Sequence, residues 1–139
     1  MFDSLLSIFT YDLAIDLGTA NTVIQVMGKG VVVREPTVLA RRRKSKELLA
    51  VGSEAKKMLG KNPEAIEVVK PLVDGVIADF DATRDMLKHY FKEIHQNVGL
   101  IPKLARPKVL IGIPSGVTEV EKRAVQDAAL SAGARLALL

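Results

Sequence analysis

Apolar positions along this chain come in short runs whose period changes from segment to segment. From Asp12 to Leu17 a mostly apolar run (Leu13, Ala14, Ile15, Leu17) carries one acidic residue, Asp16, and breaks at Gly18. Such a run, bounded by a glycine turn, predicts a buried strand. A second run, Thr22–Met27, follows a small polar turn, and Gly28-Lys29-Gly30 separates it from a third, Gly30–Arg34. Three strands on tight turns predict an antiparallel meander. Between Glu35 and Val76 the runs shorten (Val38–Ala40, Leu48–Val51), and one helix is predicted near Ser53–Leu59, with Gly60 as its C-cap and Pro63 beyond. The period then becomes helical from Ala82 to Asn97, with Asp81 as N-cap and Met86, Leu87, Tyr90, Phe91 and Ile94 as the buried stripe. Lys108–Ile113 reads as a strand. Thr118-Glu119-Val120-Glu121 reads as a capping box opening a helix whose one side is lined by Val120, Ala124, Val125, Ala128 and Ala129 and which closes at Gly133. Arg135–Leu139 begins a further strand.

The chemistry concentrates in residues 16–22. A carboxylate inside an apolar run is costly unless a cation or hydrogen bonds compensate it. The turn Gly18-Thr19-Ala20-Asn21 offers backbone N–H groups and short side chains that suit an anion. Together they point to a hairpin holding a metal-bound phosphate. Asp and Gly also favour hairpin turns for geometric reasons alone, so this stretch by itself leaves both readings open. The crossovers after the meander should be right-handed, and ligands collect at the carboxyl ends of strands in such sheets. The loops Gly18–Asn21 and Ile113–Gly116, each following a strand, are therefore expected to face one cleft.

Composition narrows the picture. The 139 residues are 48% hydrophobic and 26% charged, which suits one domain with a small insertion. The chain has no cysteine, which excludes disulfides and thiolate metal sites. Its two histidines, His89 and His95, are six residues apart on one predicted helix and argue against zinc. The net charge is +4, and the one dense basic run, Arg41-Arg42-Arg43-Lys44-Ser45-Lys46, lacks interleaved aromatics. It reads as a solvated hairpin loop and not as a nucleic-acid surface. At the N-terminus, Met1, Phe2, Leu5, Leu6, Ile8 and Phe9 fall on one side of a helical wheel, and Asp3, Ser4 and Ser7 on the other. So short a helix is marginal in water and must bury its apolar face, against protein or in a membrane surface. Leu100 and Ile101 form a second apolar spot where a polar loop is expected. No secretory signal and no run long enough to span a bilayer is visible.

Asp16-Leu17-Gly18-Thr19-Ala20-Asn21-Thr22 resembles the first phosphate-binding segment of the actin-like ATPases, and most closely that of the bacterial filament-forming MreB family. The resemblance extends in order through Arg34-Glu35-Pro36-Thr37-Val38, Ala50-Val51-Gly52, Lys56-Lys57-Met58-Leu59-Gly60, the stretch Pro71–Phe80 and Ile113–Thr118, reaching about Arg135. It implies an α/β fold: the ribonuclease H-like half of the actin-like ATPase fold, a mixed sheet with an antiparallel three-strand meander, plus a small inserted α/β subdomain. The implied division is 1–10 as an amphipathic membrane segment, 11–34 with 77–139 as the first subdomain, incomplete at its C-terminus, and 35–76 as the insertion. The resemblance further implies that Asp16 holds Mg²⁺ through water, and that Gly18, Thr19, Ala20 and Asn21 bind the phosphates of ATP. Phe2, Leu5, Leu6, Ile8, Phe9, Leu100 and Ile101 would then enter the membrane.

The implied function is that of the N-terminal portion of a filament-forming cytoskeletal protein organising cell-wall growth and rod shape. It would lie in the cytoplasm at the inner face of the cell membrane, with further copies of itself, the membrane and cell-wall elongation proteins as partners. The family's water-positioning acid, its second phosphate loop and its adenosine pocket have no counterpart before Leu139, so no catalytic residue is expected within this chain. A short non-enzymatic chain, acting as a filament cap or membrane-attached partner, is the alternative. A chaperone-type or sugar-kinase relative shares the Asp-x-Gly-Thr start, but Pro71–Phe80 and the amphipathic N-terminus set this chain apart from those.

Overall fold

The three runs at the start of the chain form the expected meander. In the computed structural model, which describes residues 10–98 and 104–139, they are β1 (Thr10–Leu17), β2 (Asn21–Val26) and β3 (Gly30–Pro36). They pair antiparallel, with a register shift between Ile24 and Gln25 where β3 carries one extra residue, Val32. Short pieces follow: β4 (Leu39–Arg42), β5 (Leu48–Val51), α1 (Ser53–Lys57), β6 (Ile66–Val69), β7 (Leu72–Val73) and β8 (Val76–Ile77). The chain then alternates helix and strand through α2 (Phe80–Asn97), β9 (Arg106–Gly112), α3 (Glu119–Ser131) and β10 (Leu136–Leu138). β9 and β10 join the meander in parallel, giving a five-stranded mixed sheet in the order β10-β9-β1-β2-β3. The fold is thus α/β, as read from the sequence.

The main core lies between this sheet and the two long helices. Period-2 alternation points Leu13, Ile15 and Leu17 of β1, Ile24 and Val26 of β2, and Val109 and Ile111 of β9 inward. They meet Met86, Leu87, Tyr90, Phe91 and Ile94 of α2 and Val125 and Ala129 of α3 in one cluster. The same alternation corrects the expectation for Asp16. It lies between Ile15 and Leu17, so its carboxylate emerges on the opposite, exposed face, and needs no buried partner.

Two helix starts differ in opposite ways from the sequence reading. α2 is capped by Asp79, not Asp81: Asp79 has extended backbone, and its carboxylate accepts the Ala82 N–H at 2.8 Å. Asp81 sits inside the first turn and pairs with Arg84 at 2.9 Å. α3 has the expected capping box, with Glu121 N–H donating to Thr118 Oγ1 at 3.2 Å and Thr118 N–H to Glu121 Oε2 at 2.7 Å. Val120, however, is 80% exposed. The buried stripe is Val125, Ala128, Ala129 and Ala132, and Val120, five positions before Val125, falls about 140° round the helix.

A second small cluster, Val38, Ala40 and Ala55, sits between α1 and the three-stranded sheet β5-β4-β6. α1 ends at Lys57 with Met58 as C-cap, earlier than expected, and Gly60 (φ 74°) belongs to the turn beyond. The basic run is corrected at its first member. Leu39 and Arg41 share one face of β4, and Leu39 joins the main core while Ala40 on the other face joins the small one. Arg41 is therefore carried toward the body of the molecule, where its side chain is 8% exposed. Its Nε donates to Glu67 at 2.6 Å and its Nη2 to Asp79 at 2.7 Å. One guanidinium thus ties the small sheet to the cap of α2. Arg42, at the end of β4, and residues 43–46 of the turn beyond are exposed, as read from the sequence.

Candidate functional site

β1 and β9 run parallel side by side, with Asp16 opposite Gly112. Their carboxyl ends therefore coincide, and the two loops that follow emerge together, as such sheets require for a ligand crevice. The tip of the β7–β8 hairpin, Asp74-Gly75, closes the third side. Both tip residues are left-handed (φ 52° and 77°), as a two-residue hairpin turn demands. The Gly75 N–H donates to Thr19 Oγ1 at 2.7 Å. A Cβ on Gly75 would stand 2.7 Å from Pro114 Cγ, so only glycine fits between the two loops. The result is a pocket of about 480 Å³ lined by Asp16, Gly18, Thr19, Asp74, Gly75, Gly112 and Pro114 among others. A larger groove of about 870 Å³ shares Ile113 and Pro114 with it and continues past Ser115, Gly116 and Lys122 to Leu139.

Of the five residues expected to hold the nucleotide and its magnesium, Asp16, Gly18 and Thr19 line the pocket. Ala20 and Asn21 lie exposed on the same turn without lining it. The turn is built from within. Gly18 N–H donates to the Asn21 carbonyl at 3.1 Å, and a Cβ at position 18 would lie 2.7 Å from that oxygen. Thr37 then clamps the turn from beneath: its N–H donates to the Ala20 carbonyl at 3.0 Å and its hydroxyl to the Gly18 carbonyl at 2.6 Å. Thr37 Oγ1 also lies 2.9 Å from Thr22 Oγ1. A hydroxyl has one proton, and that of Thr37 is committed to Gly18, so Thr22 donates and Thr37 accepts. Both threonines are buried. The carbonyls of Gly18, Ala20 and Asn21 are thus all satisfied inside the protein. Among the described residues nothing accepts from the N–H groups of Thr19 or Ala20.

Thr22 and Thr37 were not singled out from the sequence, although both lie in the segments that carry the resemblance. Their pairing spans 15 positions, which no local pattern displays. Glu35 has a similar hidden role. Gly52 (φ 68°) precedes α1 and has no side chain to cap it, so Glu35 Oε2 accepts from both the N–H and the hydroxyl of Ser53, at 2.7 and 2.6 Å.

Asp16 makes no ion pair among the described residues. Asp74 is the second carboxylate on the pocket. Among the described residues no cluster of three or more acidic, histidine or cysteine side chains is placed to enclose a metal ion. The donor set fits an ion that keeps most of its water and takes one or two carboxylates plus ligand oxygens, as Mg²⁺ does. It does not fit a metal held by protein alone. The apolar residues read as membrane-contacting, Phe2, Leu5, Leu6, Ile8, Phe9, Leu100 and Ile101, lie outside the described residues. No helix among the described residues is long and apolar enough to cross a membrane.

Residues 10–139 match the family model described as MreB/Mbl protein. The cell shape-determining protein MreB of Pasteurella multocida is 45% identical over 139 residues, covering 97% of this chain and 39% of that protein. MreB of Escherichia coli is 48% identical over 131 residues, covering 91% and 37%. The chain thus spans less than two-fifths of the length of these relatives. Among solved structures, MreB5 of Spiroplasma citri bound to ADP superposes with a TM-score of 0.79 at 40% identity, over 94% of this chain and 38% of that one. The same protein bound to AMPPNP gives 0.78 at 41% identity, over 93% and 38%. A MamK double helical filament gives 0.74 at 22% identity, over 93% and 40%, a likeness of fold alone. The match to the family model leaves out only the first nine residues, and the chain belongs to the MreB/Mbl family of actin-like proteins.

Proposed function

We propose that the pocket at the ends of β1 and β9 is one half of an ATP site, and that the chain is the N-terminal portion of a filament-forming protein. In this reading residues 11–34 and 77–139 make the first actin-like subdomain, 35–76 the inserted one, and 1–10 the membrane segment. The carrying observation is the pairing of an exposed, unpartnered Asp16 carboxylate with the Thr19 and Ala20 N–H groups, which donate to no described residue. A carboxylate and free amides on one turn can receive a cation and the phosphate it neutralises. MreB5 of Spiroplasma citri, about two-fifths identical, crystallises with ADP and with AMPPNP, which supports the same ligand class here.

Each residue then has a defined task. Magnesium, when bound, neutralises phosphate charge. Asp16 receives the ion's water shell; Thr19, Ala20 and Asn21 face the phosphate oxygens with N–H groups and side chains. Gly18 keeps the turn narrow, so that those groups stand at the ligand without an intervening Cβ. This is positioning and electrostatic stabilisation, the main means by which phosphoryl transfer is catalysed. At the cellular level the protein assembles with its own copies. Through Phe2, Leu5, Leu6, Ile8, Phe9, Leu100 and Ile101 it lies on the inner face of the membrane, where it works with cell-wall elongation proteins to set rod shape.

The test is titration calorimetry with AMPPNP, with and without magnesium, on a form carrying the full length of the relatives. Asp16→Ala should abolish the magnesium-dependent part of the affinity. Equal binding by Asp16→Ala and the unaltered protein refutes the assignment.

A further inference from the structure

A groove of about 340 Å³ lies away from the nucleotide pocket, between α2, the start of β9 and the end of α3. Its charged lining is one-sided. Lys88 and Lys92 come from α2 and Arg106 from β9, and no carboxylate is among the described lining residues. Phe91 supplies an apolar floor, and Tyr11, whose hydroxyl is pushed up to about 12 by burial, stays a neutral donor at the wall.

The carboxylates of α2 are engaged elsewhere. Asp81 and Asp85 hold Arg84, both at 2.9 Å, and Glu93 lies 3.7 Å from His89. Lys88 and Lys92 have no ionic partner among the described residues. They stand one turn apart, where like charges repel. The helix dipole favours a cation in the last turn, but its effect has faded by Lys88, more than two turns from the end. Arg106 is held in place by the carbonyls of Gly133 and Ala134, at 3.0 and 3.2 Å, so its charge is fixed at the rim. A set of cations, Lys88, Lys92 and Arg106, over an apolar floor, with no carboxylate among the described lining residues, is complementary to a phosphate attached to an apolar body.

Position selects the source of that phosphate. Tyr11 and Ala105 line the groove. Tyr11 follows the N-terminal segment, and Ala105 comes shortly after Leu100 and Ile101, so both apolar segments of the sequence join the fold here. We propose that Lys88, Lys92 and Arg106 form a binding site for the phosphate headgroup of anionic lipid, which fixes this end of the molecule against a negatively charged membrane. The proposal rests on the membrane-surface reading above and adds to it a headgroup-specific polar contact.

Co-sedimentation of the 139-residue chain with vesicles of phosphatidylcholine alone, or of phosphatidylcholine mixed with phosphatidylglycerol, tests it. The unaltered chain should bind the mixed vesicles more tightly. The pair Lys88→Gln/Lys92→Gln should lose roughly 30-fold on the mixed vesicles, since each basic residue near an anionic leaflet contributes about fivefold. It should lose nothing on phosphatidylcholine. Lys44→Gln/Lys61→Gln removes the same charge from the small-sheet side and should leave both affinities unchanged. Equal losses from the two pairs, or equal binding to both vesicle types, overturns the headgroup site while leaving membrane binding intact. Failure of the unaltered chain to pellet with either vesicle defeats the membrane reading itself, and the proposal with it. Displacement from mixed vesicles by equimolar inorganic phosphate identifies a soluble-phosphate site and also overturns the proposal. Thermal melts of both pairs, matching the unaltered chain, show that the fold is kept.

Discussion

Replacing Arg41 by Met removes the charge that joins the small sheet to the main body and keeps the apolar stem. Its side chain is 8% exposed, and its partners Glu67 and Asp79 are 18% and 27% exposed. Breaking a fully buried ion pair costs about 3–5 kcal/mol, and an exposed one contributes about 0–1 kcal/mol. This network lies between those limits. The stranded carboxylates also keep other donors, Glu67 from Lys46 at 2.6 Å and Asp79 from the Ala82 N–H. A loss of about 2 kcal/mol is therefore expected, or roughly 6–8 °C in Tm for a domain of this size.

The pH dependence supplies the stricter check. Lys46 and Arg41 hold the Glu67 carboxyl below its ordinary 4.5. For Asp79, burial pushes upward, but the Ala82 N–H and Arg41 together outweigh it and hold the group below 3.8. A carboxyl depressed by folding contributes stability that is complete above its unfolded pKa and is lost as pH falls through its folded value. The stability gap between the unaltered chain and Arg41→Met should thus be full at neutral pH and shrink below about pH 4. Adding Asp79→Asn to Arg41→Met should recover part of the loss, because the carboxylate that Arg41 neutralised is then gone, while Glu67 keeps Lys46 as its partner. Urea unfolding followed by circular dichroism at several pH values measures all of this. A gap under about 0.5 kcal/mol, or one that does not change on acidification, would refute the network's role.

The buried Tyr90 hydroxyl has no hydrogen-bond partner among the described residues. Tyr90→Phe should leave stability unchanged or raise it by about 1 kcal/mol, since a buried unsatisfied group costs about 1–3 kcal/mol; a clear fall in Tm would mean the hydroxyl is bonded. Thr37→Val keeps the shape of the side chain but strands the Thr22 hydroxyl and the Gly18 carbonyl. It should cost about 1–3 kcal/mol in urea unfolding, and in the full-length form it should weaken magnesium–AMPPNP binding by loosening the turn. Unchanged values on both counts would dismiss the clamp.

The elements that were legible in the sequence owe it to local patterns. Met86, Leu87, Tyr90, Phe91 and Ile94 mark α2 by their spacing, Thr118 and Glu121 mark the start of α3, and glycine turns mark the meander. Errors arose where a local pattern admits two answers. Asp79 and Asp81 both suit a cap, and backbone geometry decides between them. Arg41 opens a run of five cations within six residues and looks solvated, yet strand alternation turns it inward beside Leu39. Asp16 looked buried because its neighbours are, although alternation puts it on the other face. The site itself was half legible. The turn at 18–21 could be read, whereas its support could not, because Thr37 and Gly75 reach it from 19 and 56 positions away.

The crowding at Gly18 changes what that residue reports. A methyl group there would meet the Asn21 carbonyl whether or not any ligand is present, so the hairpin alone is enough to retain it. Asp16 answers to no such crowding: it is solvent-facing and makes no ion pair among the described residues. If the proposed nucleotide site is right, a relative that had abandoned its nucleotide would be expected to keep the glycine and let the acid drift, so of the two positions the acid is the more telling one.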